Sequence, residues 1–125
     1  VIEKRTLTMV LLNAYPYTSG HLLIVPRRPV ETLAELSSEE HESLWKMVTD
    51  ATTTLQEVLS PEGVNVGLNQ GEAAGAGVPD HLHVHVVPRW RGDTNFTTVT
   101  ANTRVIPEAL TDTWTRISEA WPREN

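Results

Sequence analysis

The 125-residue chain contains no cysteine. Disulfide frameworks and thiolate zinc sites built from it are thereby excluded, and the composition suits a reducing compartment. Positive charge is also scarce. Ten Lys and Arg face sixteen Asp and Glu, for a net charge of −6, so no global field draws the chain to nucleic acid or to an anionic membrane. No apolar run approaches the ~18 residues of a membrane span. No signal peptide, internal repeat, low-complexity tract or linker is visible, which makes the cytoplasm the default expectation. The chain starts at Val1 rather than Met, and we read this as a trimmed N-terminus. Hydrophobic residues make up 39% of the chain, ordinary for one soluble domain spanning residues 1–125.

The few basic residues are unevenly placed. Arg27 and Arg28 form a pair, expected to be surface charges that steer anions, and Arg89 and Arg91 flank Trp90. Residues 6–12 and 21–25 read as two β-strands around a breaker-rich turn at residues 14–20, the second stopped by Pro26. Ser37 and Ser38 precede Glu39, Glu40 and Glu42, which marks a helix start. Leu44, Val48, Ala51, Leu55 and Val58 then form one apolar stripe on a helix ending near Pro61. Val64, Val66 and Leu68 alternate with polar or small residues, as a half-buried strand does. Pro107 is placed to open a last helix, with Ile106, Leu110, Trp114, Ile117 and Trp121 spaced for one face. His41 is expected to be solvent-exposed, and Trp45, Trp114 and Trp121 are expected to pack. The order strand, strand, helix, strand, strand, helix with short loops predicts an antiparallel α+β fold.

His81-Leu82-His83-Val84-His85-Val86-Val87 is the most strand-like run in the chain. On a strand, His81, His83 and His85 share one face and Leu82, Val84 and Val86 the other. Two chemistries fit this pattern. Neighbouring histidines, about 6–7 Å apart, can share a zinc ion, whereas His81 and His85, about 13 Å apart, cannot easily join in one site. Alternatively, a neutral imidazole can attack phosphorus while its neighbours orient it and donate hydrogen bonds to phosphate oxygens. A glycine-rich stretch at residues 71–77, able to present backbone N–H groups to an anion, and Arg89 favour the second chemistry.

The string of residues 81–90, continued by Gly92-Asp93-Thr94-Asn95-Phe96, resembles the signature of the histidine-triad family, in its fragile-histidine-triad branch. It is similar to the diadenosine tetraphosphate phosphorylases found in bacteria. The likeness extends upstream through Asn13, Pro16, Gly20-His21 and residues 26–31, and so covers about residues 6 to 96. It implies an α+β domain in which a five-stranded antiparallel sheet carries one long helix and a C-terminal helix, and which assembles as a homodimer or higher homo-oligomer. His83 matches the nucleophile, His81 and His85 the outer histidines, and His21 a fourth histidine beside them. Asn13 matches the residue that binds ribose hydroxyls, and Asn69 one that contacts phosphate. Gly71, Ala76 and Gly77 fall on the phosphate loop, and Arg89 and Trp90 next to the site. Relatives often carry Ser or Thr on that loop. Here Ala76-Gly77-Val78-Pro79 stands instead, so contact there has to come from backbone N–H groups.

The implied reaction is cleavage of a dinucleoside polyphosphate through a nucleotidyl-His83 intermediate, with phosphate as acceptor giving ATP and ADP. The alternatives are a nucleoside phosphoramidase or a dinucleoside polyphosphate hydrolase of the same family, a nucleotide-binding scaffold with vestigial activity, and the zinc protein. On the leading reading the partner is a nucleotide, not nucleic acid or membrane. No metal or cofactor is held by the protein, and Mg2+ enters only with the substrate's polyphosphate.

Overall fold

The structure is a computed structural model, and it describes residues 1–13, 20–76, 79–92 and 110–122. Five strands form one antiparallel sheet: β1 (Glu3–Lys4), β2 (Thr8–Leu12), β3 (Leu22–Pro26), β4 (Gly63–Leu68) and β5 (Val84–Arg89). Their spatial order is β1-β2-β3-β5-β4, which puts β5 inside the sheet and β4 at its edge. The helices are α1 (Ser38–Leu59) and α2 (Leu110–Ala120). Periodicity identified four of these strands. The two-residue β1 is too short to leave a period, and it exists through its pairing of Glu3 with Val10 and Lys4 with Met9.

Helix α1 begins with a reciprocal cap. The Ser37 Oγ accepts from Glu40 N at 3.1 Å, and Glu40 Oε1 accepts from Ser37 N at 2.8 Å. This satisfies two N–H groups that the first turn would otherwise leave unpaired. Arg28 then forks onto the same carboxylate, Nε to Oε2 at 3.0 Å and Nη2 to Oε1 at 2.8 Å. Those bonds, with the Ser37 N–H, hold the Glu40 carboxyl down at about 2. Arg28 is therefore a clamp between the end of β3 and the head of α1, and Arg27 donates to Arg5 O. The expected anion-steering pair is largely committed to holding the chain together.

The predicted stripe of α1 is buried at Leu44, Val48, Ala51 and Leu55, joined by Met47, and packs on Val10, Leu22, Ile24, Val84 and Val86. All core-facing residues of β5 thus point at α1, and the alternate residues point to the open face of the sheet. Thr113 and Ile117 of α2 and Trp121 just after it are buried, whereas Trp114 is 42% exposed. Trp45 on α1 is likewise 40% exposed, so two of the three tryptophans expected to pack do not. Trp114 sits on the margin of its helix's apolar face and donates from Nε1 to Val1 O. His41, expected in solvent, is half-buried. A buried ion pair unannounced by the sequence joins Arg5 Nη2 to Asp50 Oδ2 at 2.8 Å, and the same Nη2 donates to Pro122 O at 3.0 Å. Among the described residues no helix is long and apolar enough to cross a membrane. The expected turn at residues 14–19, Pro107 and Ile106 lie outside the described residues.

Gly20, just before β3, has φ +78°, and a Cβ there would stand 2.6 Å from Leu59 Cδ1 and 3.3 Å from Pro88 Cγ. We expect Gly20→Ala to destabilise the fold by about 1–3 kcal/mol, through both left-handed backbone strain and overpacking. Gly63, where a Cβ would meet nothing within 4 Å, is the control, and Gly63→Ala should stay within about 0.5 kcal/mol of the parent. Urea denaturation of the two variants checks this.

Candidate active site

The histidine segment lies where three strands meet. Paired residues of β3 and β5 are Leu22 with Val86, Leu23 with His85 and Ile24 with Val84. Continued in that register, Val25 would face His83 and Pro26 would face Leu82. Proline has no N–H to give the ladder, so β5 starts at Val84 rather than at His81 as the alternation predicted. The direction of the side chains survives this. Leu82, Val84 and Val86 are 2%, 0% and 0% exposed, while His81, His83 and His85 are all half-buried on the other side. The free Pro26 carbonyl is instead taken by the His81 ring, Nε2 to O at 2.9 Å.

The remaining hydrogen bonds fix where the ring protons sit. His83 Nδ1 lies 3.0 Å from the His81 carbonyl oxygen. A carbonyl only accepts, so neutral His83 carries its proton on Nδ1 and keeps a lone pair on Nε2. On the other side, Asn13 Nδ2 donates to His21 Nδ1 at 3.1 Å. His21 then holds its proton on Nε2 and donates to His85 Nδ1 at 3.0 Å. His85 in turn keeps its proton on Nε2 as a donor. The His83 and His85 rings meet edge to face, centroids 5.0 Å apart. One ring therefore offers a lone pair and its neighbour a hydrogen-bond donor.

Both members of the His21–His85 pair resist protonation. Burial above all, then the neighbouring His85 and His83, pulls His21 from 6.5 to about 4. Burial and then His83 lower His85 as well. Near pH 7 these two rings are neutral, as the hydrogen-bond order requires. Among the described residues no group of three or more His, Cys, Asp or Glu is arranged to hold a metal ion.

The sequence-predicted residues do not all converge. His83, His85, His21 and Asn13 form one connected group, with His81 supporting it through its backbone. Asn13, expected to bind ribose, has its amide nitrogen on His21. The phosphate loop behaves differently from expectation. The amides of Ala74 and Ala76 both bond back to Gly71 O, at 3.2 and 3.1 Å, and Gly75 N bonds to Glu72 O. The Ala76 N–H is thus used within the loop and not offered to an anion, as glycine richness alone had suggested. Asn69 is exposed, its amide beside Gly75, and Gly77 lies outside the described residues. Arg89 Nη1 donates to Asn65 Oδ1 at 2.8 Å, and Trp90 follows β5 half-buried. Sequence reasoning missed Gln70, whose Oε1 accepts from Leu33 N at 2.9 Å and ties the loop after β4 to the turn after β3. No local signal marks it, because its partner lies 37 residues away.

A five-stranded sheet with this histidine cluster on its open face matches solved structures over nearly the whole chain. A HIT-like protein from Bartonella henselae superposes with a TM-score of 0.77, covering 95% of this chain and 84% of that one at 20% identity. A zinc-bound histidine triad family protein from Mycobacterium smegmatis superposes with a TM-score of 0.74 at 23% identity, covering 95% and 81%. These likenesses define the fold. The chain belongs to the HIT domain family, whose model matches residues 1–92. It is 43% identical over 124 residues to a protein of Mycobacterium tuberculosis named AP-4-A phosphorylase, covering 99% of this chain and 64% of that protein. It is 33% identical over 93 residues to the asymmetrical bis(5'-nucleosyl)-tetraphosphatase of Schizosaccharomyces pombe, covering 74% of this chain and 50% of that one. The chain thus spans between half and two thirds of these relatives' lengths.

The lowered pKa of His21 makes stability depend on pH. Below 6.5 the unfolded chain binds a proton at His21 that the folded chain refuses until about 4. Stability therefore rises with pH across that window and is lost as pH falls through it. His21→Gln should flatten the dependence between about pH 6.5 and 4, without abolishing it, since His85 titrates in the same sense. Denaturant midpoints of parent and variant at a series of pH values check this, and parallel curves would contradict it.

Proposed function

We propose that this chain cleaves dinucleoside polyphosphates by nucleotidyl transfer through His83. The observation that carries the reading is the bond from His83 Nδ1 to the His81 carbonyl, 3.0 Å long, which leaves Nε2 as a fixed lone pair beside the His85 donor. In the first step, His83 Nε2 attacks the α-phosphorus. A P–N bond forms, the P–O bond to the leaving nucleotide breaks, and the electron pair leaves on that oxygen. The His81 carbonyl stabilises the positive imidazole as it develops, and the His85 Nε2–H is placed to meet charge on the departing oxygen. In the second step an acceptor oxygen attacks the phosphorus, and His83 is released.

Inorganic phosphate is the acceptor in this reading, so that diadenosine tetraphosphate yields ATP and ADP. Support comes from the relative named AP-4-A phosphorylase, at 43% identity over 124 residues. His81, His85, His21 and Asn13 act as positioning groups or phosphate contacts, and Asn69, Arg89, Trp90 and the segment from Gly71 through Ala76 to Gly77 line the nucleotide. The protein supplies no metal of its own, and Mg2+ accompanies the substrate's phosphates. The edge strand β4, with Asn65, Val66 and Gly67 exposed, is the surface through which the chain forms a homodimer, in the cytoplasm.

The test is to quench the reaction and weigh the protein. A mass increase of one nucleotidyl group should be found in the parent and be absent from His83→Ala, whose turnover should fall by about a thousandfold or more while AMP affinity stays within about threefold. Finding turnover within about tenfold of the parent would remove His83 as nucleophile. Product analysis with and without phosphate then decides the acceptor. ADP beside ATP supports phosphorolysis, and AMP beside ATP at every phosphate concentration would make the enzyme a hydrolase. Chelator-treated protein with Mg2+ restored should keep its activity, and recovery that depends on zinc would overturn the metal-free reading.

A further inference from the structure

Among the described residues, each line of hydrogen bonds leaving the histidine cluster ends on a group that neither gives nor takes a proton. The His81 ring donates to Pro26 O and the His83 ring to His81 O. The third line is longer: His21 Nε2 donates to His85 Nδ1 at 3.0 Å, and Asn13 Nδ2 donates to His21 Nδ1 at 3.1 Å. It stops at the Asn13 side-chain amide, which offers a hydrogen bond but does not ionise. A carboxylate in that place would stabilise an imidazolium. The groups that act on His21 and His85 are burial and neighbouring imidazoles, with no carboxylate among them.

Such a line lends a hydrogen bond and supplies no proton. With both rings neutral it holds one proton on each Nε2. Were His85 to give its Nε2 proton to a departing atom, it would need the His21 proton at Nδ1. His21 would then need a proton at its own Nδ1, where Asn13 has none to give, and the line would end in an imidazolate. His85 therefore keeps its proton. As His83 Nε2 forms the P–N bond, the bond from phosphorus to the leaving atom breaks and its electron pair departs unprotonated. The positive charge stays on the His83 ring, whose Nδ1–H remains on His81 O. A phosphate oxygen leaves readily as an anion. An amine nitrogen needs a proton as it leaves.

We propose that Asn13 is a positioning residue that selects the leaving group: by closing the His85–His21 line with an amide, it favours substrates whose leaving group departs as an anion, as a nucleoside polyphosphate does, over phosphoramidates, whose amine must be protonated. This rests on the nucleotidyl-transfer reading above and adds to it a reason for the substrate class. The role is separate from any contact between Asn13 and ribose.

The test is to end the line in a carboxylate. In Asn13→Asp the new side chain accepts from His21 Nδ1 and holds His21 as an imidazolium. As His85 passes its Nε2 proton to the leaving nitrogen, it takes the Nε2 proton of His21. The amine departs neutral, both rings end neutral and the carboxylate stays charged. Parent, Asn13→Asp and Asn13→Ala are assayed for kcat/KM with diadenosine tetraphosphate and with adenosine phosphoramidate. In the parent the phosphoramidate value should lie more than about tenfold below the tetraphosphate value, and in Asn13→Asp the ratio of the two should rise by about tenfold or more. In Asn13→Ala both values should fall together, with the ratio within about threefold of the parent's. Both substrates carry the same ribose, so a lost ribose contact or a damaged fold lowers both and leaves the ratio unmoved. An unmoved ratio in Asn13→Asp overturns the proposal. An equal rise in Asn13→Ala does so too, because it would assign the effect to loosened rings and not to the carboxylate. Circular dichroism checks folding. If Asn13→Asp does not fold, the parent decides, and a phosphoramidate value within about tenfold of the tetraphosphate value overturns the proposal. A parent that turns over no dinucleoside polyphosphate defeats the functional reading and the role of Asn13 with it. A parent active on the tetraphosphate, beside variants whose ratio does not move, removes the role of Asn13 alone.

Discussion

Proline at the end of β3 sets the conditions for everything around the histidines. Pro26 still pairs with Thr8 on one side, but it has no N–H to offer the histidine segment on the other. The sheet therefore lets go of residues 81–83 just where their side chains reach the open face. Freed from the ladder, the chain is held by three other bonds: Leu82 N to Val30 O at 2.7 Å, the His81 ring to Pro26 O, and the His83 ring to His81 O. Two of these three are made by imidazoles. The His83 ring is thus oriented from within its own segment, by the His81 carbonyl.

From that point the site is a sequence of one-way hydrogen bonds. A carbonyl at one end and an amide nitrogen at the other leave each histidine a single neutral tautomer. Burial keeps His21 and His85 in that neutral form, so the arrangement does not depend on a nearby carboxylate. It depends on the rings being partly withdrawn from water, and hence on the packing of β2, β3 and β5 around them. Electrostatics, tautomers and core packing are here one constraint seen at three scales.

Much of this was legible in the sequence, and the limits follow a pattern. Side-chain direction in residues 81–87 was readable because alternation is a local property. The start of the ladder was not, since it is decided by Pro26, 56 positions away from Leu82. The helix α1 was readable from its cap and stripe, but the Arg28 fork onto Glu40 needed the turn between β3 and α1 to bring them together. Trp114 was placed with Ile117 and Trp121 because helical spacing fixes the axis of an apolar face. It does not fix the margins, and Thr113 is buried where Trp114 is not. Glycine richness at residues 71–77 suggests amides aimed outward, whereas three of those amides close a turn on Gly71 and Glu72. Composition reports freedom of the backbone and not the direction in which that freedom is used.

The packing of α2 has a consequence for where this molecule can be cut. The family model ends at residue 92, yet Ile117 and Trp121, at 0% and 3% exposed, belong to the same core as Leu44 and Val84. Arg5 is pinned between Asp50 of α1 and the Pro122 carbonyl. The first strand and the last helix are thus fastened to one another across α1. A fragment trimmed to the recognisable family segment would keep every histidine and lose the roof over its own interior. The unit of resemblance and the unit of folding are different lengths of the same chain, and the histidine cluster lies wholly within the shorter one.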